Sequence, residues 1–310
     1  MIILYAVLVL LVLYIIFAVG PAAVIYHKIF SRKSLSEELG RRELIGTRYE
    51  PYMDELLDAE RYVKSLSRRQ ISITARDGVV LRGEYADNNS CKTVIFCHGY
   101  RGYPIGNFCA QARDLYRAGF NLLFITQRGH GDSGGKRVGL GIIEQYDILS
   151  WIDYEGKKEN IEEILLFGSS MGSSAIAYSS DKIKSEKVKG MVIDCGFSCT
   201  GKQLVYESAN RKIPPFLVMP IIRLIAKIEL GEDIYVSACE SLKKTKIPAL
   251  FFHGTTDKTV PIESGIENYN ACASDKKFVS VDGAEHLTAY VAGGTEAKNE
   301  LKEFINKNFK

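Results

Sequence analysis

The sequence has no marked excess of either charge. Lysine and arginine total 40 residues against 37 aspartate and glutamate residues, which gives a formal net charge of +3. It also contains no basic stretch interleaved with aromatic residues, which is the pattern typical of a nucleic-acid-binding surface. We therefore expect no nucleic acid among the partners of this protein.

The cysteines are few and have no regular spacing. They number seven, and no two are arranged as Cys-x-x-Cys. An odd, scattered set argues against a disulfide framework or a zinc site and indicates free thiols in a reducing compartment. No glycine-rich phosphate loop or cluster of metal ligands occurs either, so we expect no metal, nucleotide or flavin cofactor. The seven are Cys91, Cys97, Cys109, Cys195, Cys199, Cys239 and Cys272.

One long apolar run stands apart from this ordinary composition. Residues 2–25 contain no charged side chain, and a helix of this length can cross a hydrocarbon core of about 30 Å. A core helix would show a polar face, and a cleaved signal peptide would have a basic start and a shorter apolar stretch. We therefore expect residues 1–26 to form an uncleaved transmembrane anchor.

The charges that follow this run predict its orientation. Lys28, Arg32 and Lys33 come directly after it, while only the α-amino group precedes it. By the positive-inside rule, the rest of the chain is expected on the cytoplasmic side of the cell membrane. We interpret residues 27–68 as a charged juxtamembrane linker followed by an amphipathic helix over 51–66.

From residue 69 to 310 the pattern predicts an α/β domain. Two alternating segments, 70–75 and 79–85, flank Asp77-Gly78, which is a strong hairpin signal. Repeated strand and helix segments then indicate a mixed, mostly parallel sheet covered on both faces. The predicted strands are 93–97, 122–125, 164–167, 191–194, 249–252 and 278–281, and the predicted helices are 108–117, 144–154, one starting at 171, and 295–308.

The alternation stops between residues 197 and 246. This segment contains Pro214-Pro215 and a very apolar stretch over 216–230, and it is too long for an ordinary loop. Arg223 and Lys227 interrupt the apolar stretch, which argues against a second membrane span. We interpret the insertion as a small helical lid, with contact to a membrane surface as a weaker alternative.

The most informative motif is Gly168-Ser169-Ser170-Met171-Gly172, directly after the predicted strand 164–167. Gly-x-Ser-x-Gly at a strand-to-helix turn is typical of a nucleophile elbow, in which the central serine has a strained backbone and its hydroxyl is exposed above the sheet. Ser170 is therefore the candidate nucleophile.

A serine hydroxyl needs an adjacent base, and that base needs a third group to orient it. Asp257 follows the predicted strand 249–252, and His286 follows the predicted strand 278–281. Because the carboxyl ends of parallel strands meet at one edge of a sheet, we expect both to lie near Ser170. Glu285 is a rival for the acid, ranked below Asp257 because it lies in the same loop as the histidine.

Stabilisation of an acyl-transfer oxyanion needs two backbone N–H donors. Met171, directly after the nucleophile, supplies the first, and Tyr100, in the loop that begins His98-Gly99, is the candidate for the second. The other histidines have plainer interpretations. His98 and His253 each end a predicted strand and are taken as structural, while His130 belongs to a rigid loop beside the site.

Taken together, these motifs make the chain resemble the α/β-hydrolase superfamily, especially its membrane-anchored prolyl-oligopeptidase-like and serine-aminopeptidase-like branch. The resemblance implies that Ser170 is the nucleophile, His286 the general base and acid, and Asp257 its orienting partner. Such enzymes commonly have an aspartate before the Arg-Gly-His-Gly segment, where this chain has Thr126-Gln127. The matching segments, within about residues 70–308, are His98-Gly99, Arg128 to Ser133, Gly168 to Gly172, His253 to Pro261 and Glu285-His286.

The expected activity is that of a serine hydrolase that cleaves an ester, thioester or amide through an acyl-enzyme. The apolar lid and the predicted anchor favour a carboxylesterase-like reaction on a lipophilic, small-molecule or lipid-like acyl substrate. A serine aminopeptidase or an acyltransferase would use the same triad. An inactive hydrolase-fold protein that serves for binding or as a scaffold is the alternative from another class. The oligomeric state is not indicated.

Overall fold

The computed structural model describes residues 1, 4–5, 8–9, 14–32 and 46–310. A π-helical turn, Ile15–Val19, leads into the first helix, and a 3-10 turn, Glu50–Tyr52, precedes the second. The helices and strands are α1 (Gly20–Phe30), α2 (Met53–Ser65), β1 (Arg68–Thr74), β2 (Val80–Ala86), β3 (Lys92–Cys97), α3 (Pro104–Arg117), β4 (Asn121–Thr126), α4 (Glu144–Gly156), β5 (Glu163–Ser169), α5 (Met171–Ser179), β6 (Val188–Asp194), α6 (Thr200–Asn210), α7 (Pro215–Leu230), α8 (Ala238–Leu242), β7 (Ala249–Gly254), α9 (Ile262–Ala271), β8 (Lys276–Val281), α10 (Ala289–Ala292) and α11 (Gly294–Asn308).

The strands form one eight-stranded sheet in the order β1-β2-β4-β3-β5-β6-β7-β8. β2 is antiparallel to both of its neighbours, β1 and β4. All the other neighbouring pairs are parallel. The structure therefore confirms the predicted α/β class and the mostly parallel sheet, and β1 and β2 form the predicted hairpin.

The central strands are buried on both faces, because helices cover each side of the sheet. In β3, Val94 and Phe96 contact the core beneath α2, α3 and α11, whereas Ile95 and Cys97 face the core beneath α4 and α5. Continuous apolar runs are the expected pattern for parallel strands covered in this way. These buried strands form a rigid base for the loops at their carboxyl ends.

The N-terminal segment is described only in part. Part of the expected anchor, residues 2–3, 6–7 and 10–13, lies outside the described residues. Among the residues that are described, no helix is long and apolar enough to cross a bilayer. α1 also has a buried face, formed by Ala22, Tyr26 and Phe30, and it packs against α7. Residues 27–30, expected as the start of a linker, form the last turn of α1. Residues 33–45 lie outside the described part.

The insertion between β6 and β7 is helical and contains α6, α7 and α8. Its base is closed by an antiparallel bridge between Cys199 and Ser237. Beside that bridge, Ala238 N donates a hydrogen bond of 2.8 Å to Ser198 O. α8 packs on α5 and α9, whereas α6 packs on α7 and α7 packs on α1.

Candidate active site

Ser170 lies at the junction of β5 and α5, in the strained conformation expected of an elbow. Its φ of 50° and ψ of −114° are rare for a residue with a side chain. Its N–H donates to Asp194 O at 2.8 Å, which ties the junction to the end of β6. The backbone thus holds the serine hydroxyl in a fixed position above the sheet.

Asp257 and His286 lie in the loops after β7 and β8, and the structure brings both to Ser170. Ser170 Oγ is 3.0 Å from His286 Nε2, and His286 Nδ1 is 2.6 Å from Asp257 Oδ2. A proton on Nδ1, donated to the carboxylate, leaves Nε2 free to accept the serine proton. Two successive hydrogen bonds therefore link the three side chains, in the geometry of a nucleophile, a base and an orienting acid.

Asp257 is held as a carboxylate by several donors. Its Oδ1 accepts the backbone N–H groups of Thr259 and Val260, each at 2.8 Å. Burial favours a raised pKa for Asp257, but hydrogen bonds from His253 and His286 outweigh it and hold the pKa below its usual value. This carboxylate therefore stays charged at neutral pH and can stabilise a protonated His286.

The sequence did not indicate one contact of this acid. His253, interpreted from sequence as structural, places Nε2 3.5 Å from Asp257 Oδ2 and 2.9 Å from Val260 O. It therefore contacts the acid directly. Glu285, the rival acid, is exposed, and its backbone N–H donates to Thr288 Oγ1. The structure brings Asp257, and not Glu285, to His286.

The loop predicted to supply an oxyanion donor lies beside Ser170. A Cβ built on Gly99 would be 3.4 Å from Ser170 Cβ, so the loop passes directly over the serine. Tyr100 follows in a turn closed by the Gly102 N–H and Gly99 O at 3.0 Å. Met171 is the first residue of α5, and the first N–H groups of a helix have no partner within it. Both predicted donors thus lie in the segments that flank the hydroxyl.

Two neutral histidines support this loop. His98 Nε2 accepts the Gln127 N–H at 3.0 Å, and His130 Nε2 accepts the Arg101 N–H at 3.0 Å. Burial lowers the pKa of His98 to about 3 and also lowers the pKa of His130. The side-chain amide of Gln127 donates to His98 O, so this side chain also helps to hold the loop.

The segment after Gln127 is fixed by a buried cation. Arg128 forms ion pairs with Asp147 of α4 and with Asp77 in the β1–β2 turn, the latter at 2.7 Å. Burial alone would lower the pKa of Arg128, but these carboxylates raise it. The guanidinium therefore joins the hairpin, the loop and α4 into one unit beneath the site.

One group of possible metal ligands occurs in the described part of the chain. Cys195, Asp257 and His286 place their ligand atoms within 4.8 Å of one another. The last two are already hydrogen-bonded at 2.6 Å, whereas ligands bound at roughly 2.0–2.3 Å from a zinc ion lie farther apart than that. Burial also raises the pKa of the Cys195 thiol. These residues fit proton transfer better than metal binding.

The reactive groups are largely covered. Ser170 is 8% exposed and His286 is 5% exposed. A separate cleft of about 450 Å³ lies between α6 and α7, and its lining includes Phe216, Met219 and Tyr235. The helical insertion therefore has an apolar groove of its own, apart from the covered reactive groups.

Comparison with known proteins agrees with this geometry. The model of the family described as serine aminopeptidase, S33, matches residues 88–227. The esterase Pf2001 from Pyrococcus furiosus superposes with a TM-score of 0.66 at 21% identity, over 91% of this chain and 98% of that one. This chain has the α/β-hydrolase fold. The comparisons also support its being a hydrolase.

Two relatives by sequence span most of this hydrolase. Protein YqkD of Bacillus subtilis is 25% identical over 90% of this chain and 89% of its own length. Protein YfhR of Escherichia coli K12 is 23% identical over 77% of this chain and 81% of its own. The similarity therefore extends beyond the segment that the family model matches.

Proposed function

We propose that this hydrolase cleaves a lipophilic carboxylic ester through an acyl-enzyme on Ser170. The observation that supports it best is the continuous hydrogen-bond sequence from Ser170 Oγ to His286 at 3.0 Å and from His286 to Asp257 at 2.6 Å. All three side chains are buried, so their interactions are strengthened by the low dielectric of the site.

The reaction follows from the positions of these atoms. As Ser170 Oγ attacks the substrate carbonyl carbon, its proton passes to His286 Nε2, and Asp257 stabilises the imidazolium that results. Collapse of the tetrahedral intermediate breaks the bond to the leaving alcohol, which takes the proton from Nε2. Water then attacks the acyl-enzyme by the same route and releases the acid.

The negative charge of each intermediate needs donors on the carbonyl oxygen. We assign this role to the backbone N–H groups of Tyr100 and Met171, which flank the serine. Each such donor is worth about 3 kcal/mol of transition-state stabilisation. Because they belong to the backbone, they need little reorganisation during the reaction.

The preference for a lipophilic substrate rests on the apolar insertion, whose residues Gln203 and Tyr206 donate hydrogen bonds to the loop that follows Asp257. α7 is apolar over most of its length, and the cleft between α6 and α7 is lined by Phe216 and Met219. The esterase name of the Pyrococcus neighbour agrees with an ester substrate. An apolar acyl chain would gain roughly 0.8 kcal/mol for each buried methylene group.

We also propose that the apolar N-terminus places the enzyme at a membrane, with its catalytic domain on the cytoplasmic side. The uncharged run 2–25 and the cations that follow it support this assignment. The exposed sides of α1 and α7 support it as well, since Val24, Leu224 and Ile228 are all more than half exposed.

Labelling with a fluorophosphonate probe tests the nucleophile. The wild-type protein should bind the probe covalently and hydrolyse short acyl esters. Ser170→Ala should lose both properties, because no hydroxyl remains to attack phosphorus or the carbonyl carbon. Its thermal unfolding midpoint should stay close to that of the wild type.

Ser179→Ala is the matched control, because Ser179 lies in the last turn of the same helix and its hydroxyl bonds only to Ile176 O. The Ser179→Ala protein should bind the probe and hydrolyse esters as the wild type does. Equal labelling of wild type and Ser170→Ala would contradict the assignment and favour an inactive binding protein with a hydrolase fold.

A serine aminopeptidase is the second candidate, favoured by the family model over residues 88–227. An acyltransferase would use the same residues. Aminoacyl anilides compared with acyl esters of increasing chain length distinguish peptidase from esterase. Product analysis with a competing alcohol distinguishes acyl transfer from hydrolysis.

A further inference from the structure

The C-terminal end of α1 lies directly against the loop that contains Tyr100. Tyr100 Oη donates to Ile29 O at 2.7 Å, and the Arg101 guanidinium donates to Lys28 O. On the other side of the helix end, Val138 N donates to Phe30 O at 2.8 Å. The helix therefore ends on two loops that border the active site.

These bonds satisfy the carbonyl groups that a helix end leaves open. The last carbonyls of a helix have no N–H partner within it, and in α1 the Ser31 N–H takes only His27 O. The three that follow, Lys28 O, Ile29 O and Phe30 O, accept from Arg101, Tyr100 and Val138. The cationic Arg101 also suits the negative end of the helix dipole.

Arg101 has a backbone that it would not adopt without such support. Its φ is +52°, and it is the third residue of the turn Gly99–Gly102, where a type II turn favours glycine. Its N–H donates to His130, and its guanidinium lies 4.7 Å from the centre of the Tyr100 ring. The side chain that reaches α1 therefore holds the turn in its strained form.

We propose that α1 positions the oxyanion donor, with the side chains of Tyr100 and Arg101 as the positioning residues. The helix end fixes the orientation of the Tyr100 N–H toward the carbonyl oxygen of the substrate. This inference rests on the proposed serine-hydrolase function. It makes the N-terminal segment part of the catalytic apparatus in addition to any role at a membrane.

The test compares full-length wild type with the double variant Tyr100→Phe/Arg101→Gly. Phenylalanine keeps the backbone N–H but loses the bond to Ile29 O, and glycine removes the tether at a backbone angle that it tolerates. We expect kcat on a short ester to fall roughly tenfold, part of the ~10²-fold loss that removal of a whole donor causes. KM should be unchanged.

Two further measurements separate positioning from a general loss of structure. The Ki of a trifluoromethyl ketone, whose adduct forms an oxyanion, should rise in proportion to the fall in kcat. Hydrogen exchange of the backbone amides over 99–102 should become faster, while the thermal midpoint changes little. The single variant Arg101→Lys, which keeps Tyr100 and a long cationic donor at position 101, should have most of the wild-type activity.

Ser31→Ala is the matched control. Ser31 Oγ accepts a bond of 2.8 Å from Arg137 at the same helix end, but that bond does not reach the Tyr100 loop, so kcat and Ki should stay as in wild type. The proposal is overturned if the double variant keeps wild-type kcat and Ki while Ser170→Ala is inactive. Activity that persists in Ser170→Ala would instead overturn the proposed function.

Discussion

The Asp194 carboxyl group is buried beside the site with incomplete hydrogen bonding. Its side chain is 2% exposed, and Oδ1 has no hydrogen-bond partner among the described residues. Burial raises the pKa of Asp194 to about 7, with the Asp257 carboxylate adding to the effect. The folded protein therefore holds a proton on Asp194 that the unfolded chain releases in more acidic solution.

This proton makes stability depend on pH. As the pH rises from about 4 to about 7, the unfolded chain gives up its Asp194 proton while the folded protein keeps it, so the folded state loses stability relative to the unfolded chain until the pH passes about 7. Asp194→Asn removes that cost. We expect the variant to unfold at a higher temperature than wild type, with a difference that is larger at pH 8 than at pH 5, as measured by calorimetry. Asp153→Asn, at an exposed carboxylate, is the control, and an equal shift in both proteins would contradict the argument.

At the scale of single residues, the sequence predicted the groups that follow strands. Ser170, Asp257 and His286 each follow the carboxyl end of a parallel strand, so topology alone brings them to one edge. Arg101 was not singled out, because its role depends on contacts with Lys28 and His130, which are distant in sequence. Its positive φ has no local signal either, since glycine usually marks such a position.

At the scale of elements, the closest approach in the site is that of α5 to β3. A Cβ on Gly172 would lie 1.8 Å from Cys97 O, which is far inside van der Waals contact. The second glycine of the elbow motif is therefore required by the contact between the nucleophile helix and the neighbouring strand. This contact brings Ser170 and the Gly99 loop together.

Gly172→Ala should destabilise the protein by on the order of 3 kcal/mol, because the added methyl group forces the helix from the strand. Gly156→Ala is the paired control. Gly156 ends α4, and a Cβ there meets only Ser185 Oγ at 3.7 Å, so the change should be neutral or stabilising by about 0.5 kcal/mol. Urea unfolding midpoints measure both effects. A Gly172→Ala variant as stable as wild type would show that the contact can relax.

The elements themselves were largely predictable from their apolar periodicity. The predicted final helix, 295–308, differs by one residue from Gly294–Asn308. The helix predicted from 108 begins earlier, at Pro104, since proline at the first position of a helix resembles a loop signal. The sequence did not indicate that α1 continues over residues 27–30, because its partner α7 is remote in sequence.

At the scale of the whole molecule, α1 and α7 pack together and both expose apolar side chains; we call this exposed surface the α1–α7 face. Its most exposed side chains on α7 are Phe216 at 76% and Ile228 at 74%. α1 contributes Val24, which is also exposed, and the turn Ile15–Val19 packs on α7 as well. If the apolar N-terminus enters a bilayer, this face meets the lipid.

Tryptophan fluorescence tests that placement. The only native tryptophan, Trp151, is fully buried. In phosphatidylcholine–phosphatidylglycerol vesicles, brominated acyl chains should quench Phe216→Trp and Ile228→Trp. Ile266→Trp, on α9, which packs on α8, β7 and β8, should be unaffected. Unquenched fluorescence at both α7 positions in vesicle-bound protein would contradict the proposal. A change in oligomeric state would instead indicate that a second copy of the chain covers this face.

The overall fold was predictable because alternating strands and helices allow few arrangements. The ion pairs of Arg128 with Asp77 and Asp147 could not be predicted, because they join three segments that have no common sequence signal. The same holds for the three carbonyl acceptors at the end of α1. Long-range polar contacts of this kind depend on the assembled structure and leave no local pattern.

The docking of α1 has a practical consequence for assays. A recombinant fragment that starts at residue 46 would retain every strand and all three reactive side chains. It would lack Lys28, Ile29 and Phe30, so the hydroxyl of Tyr100 and the guanidinium of Arg101 would donate to water instead of to α1. Rates measured on such a trimmed enzyme would describe a weaker catalyst than the intact chain.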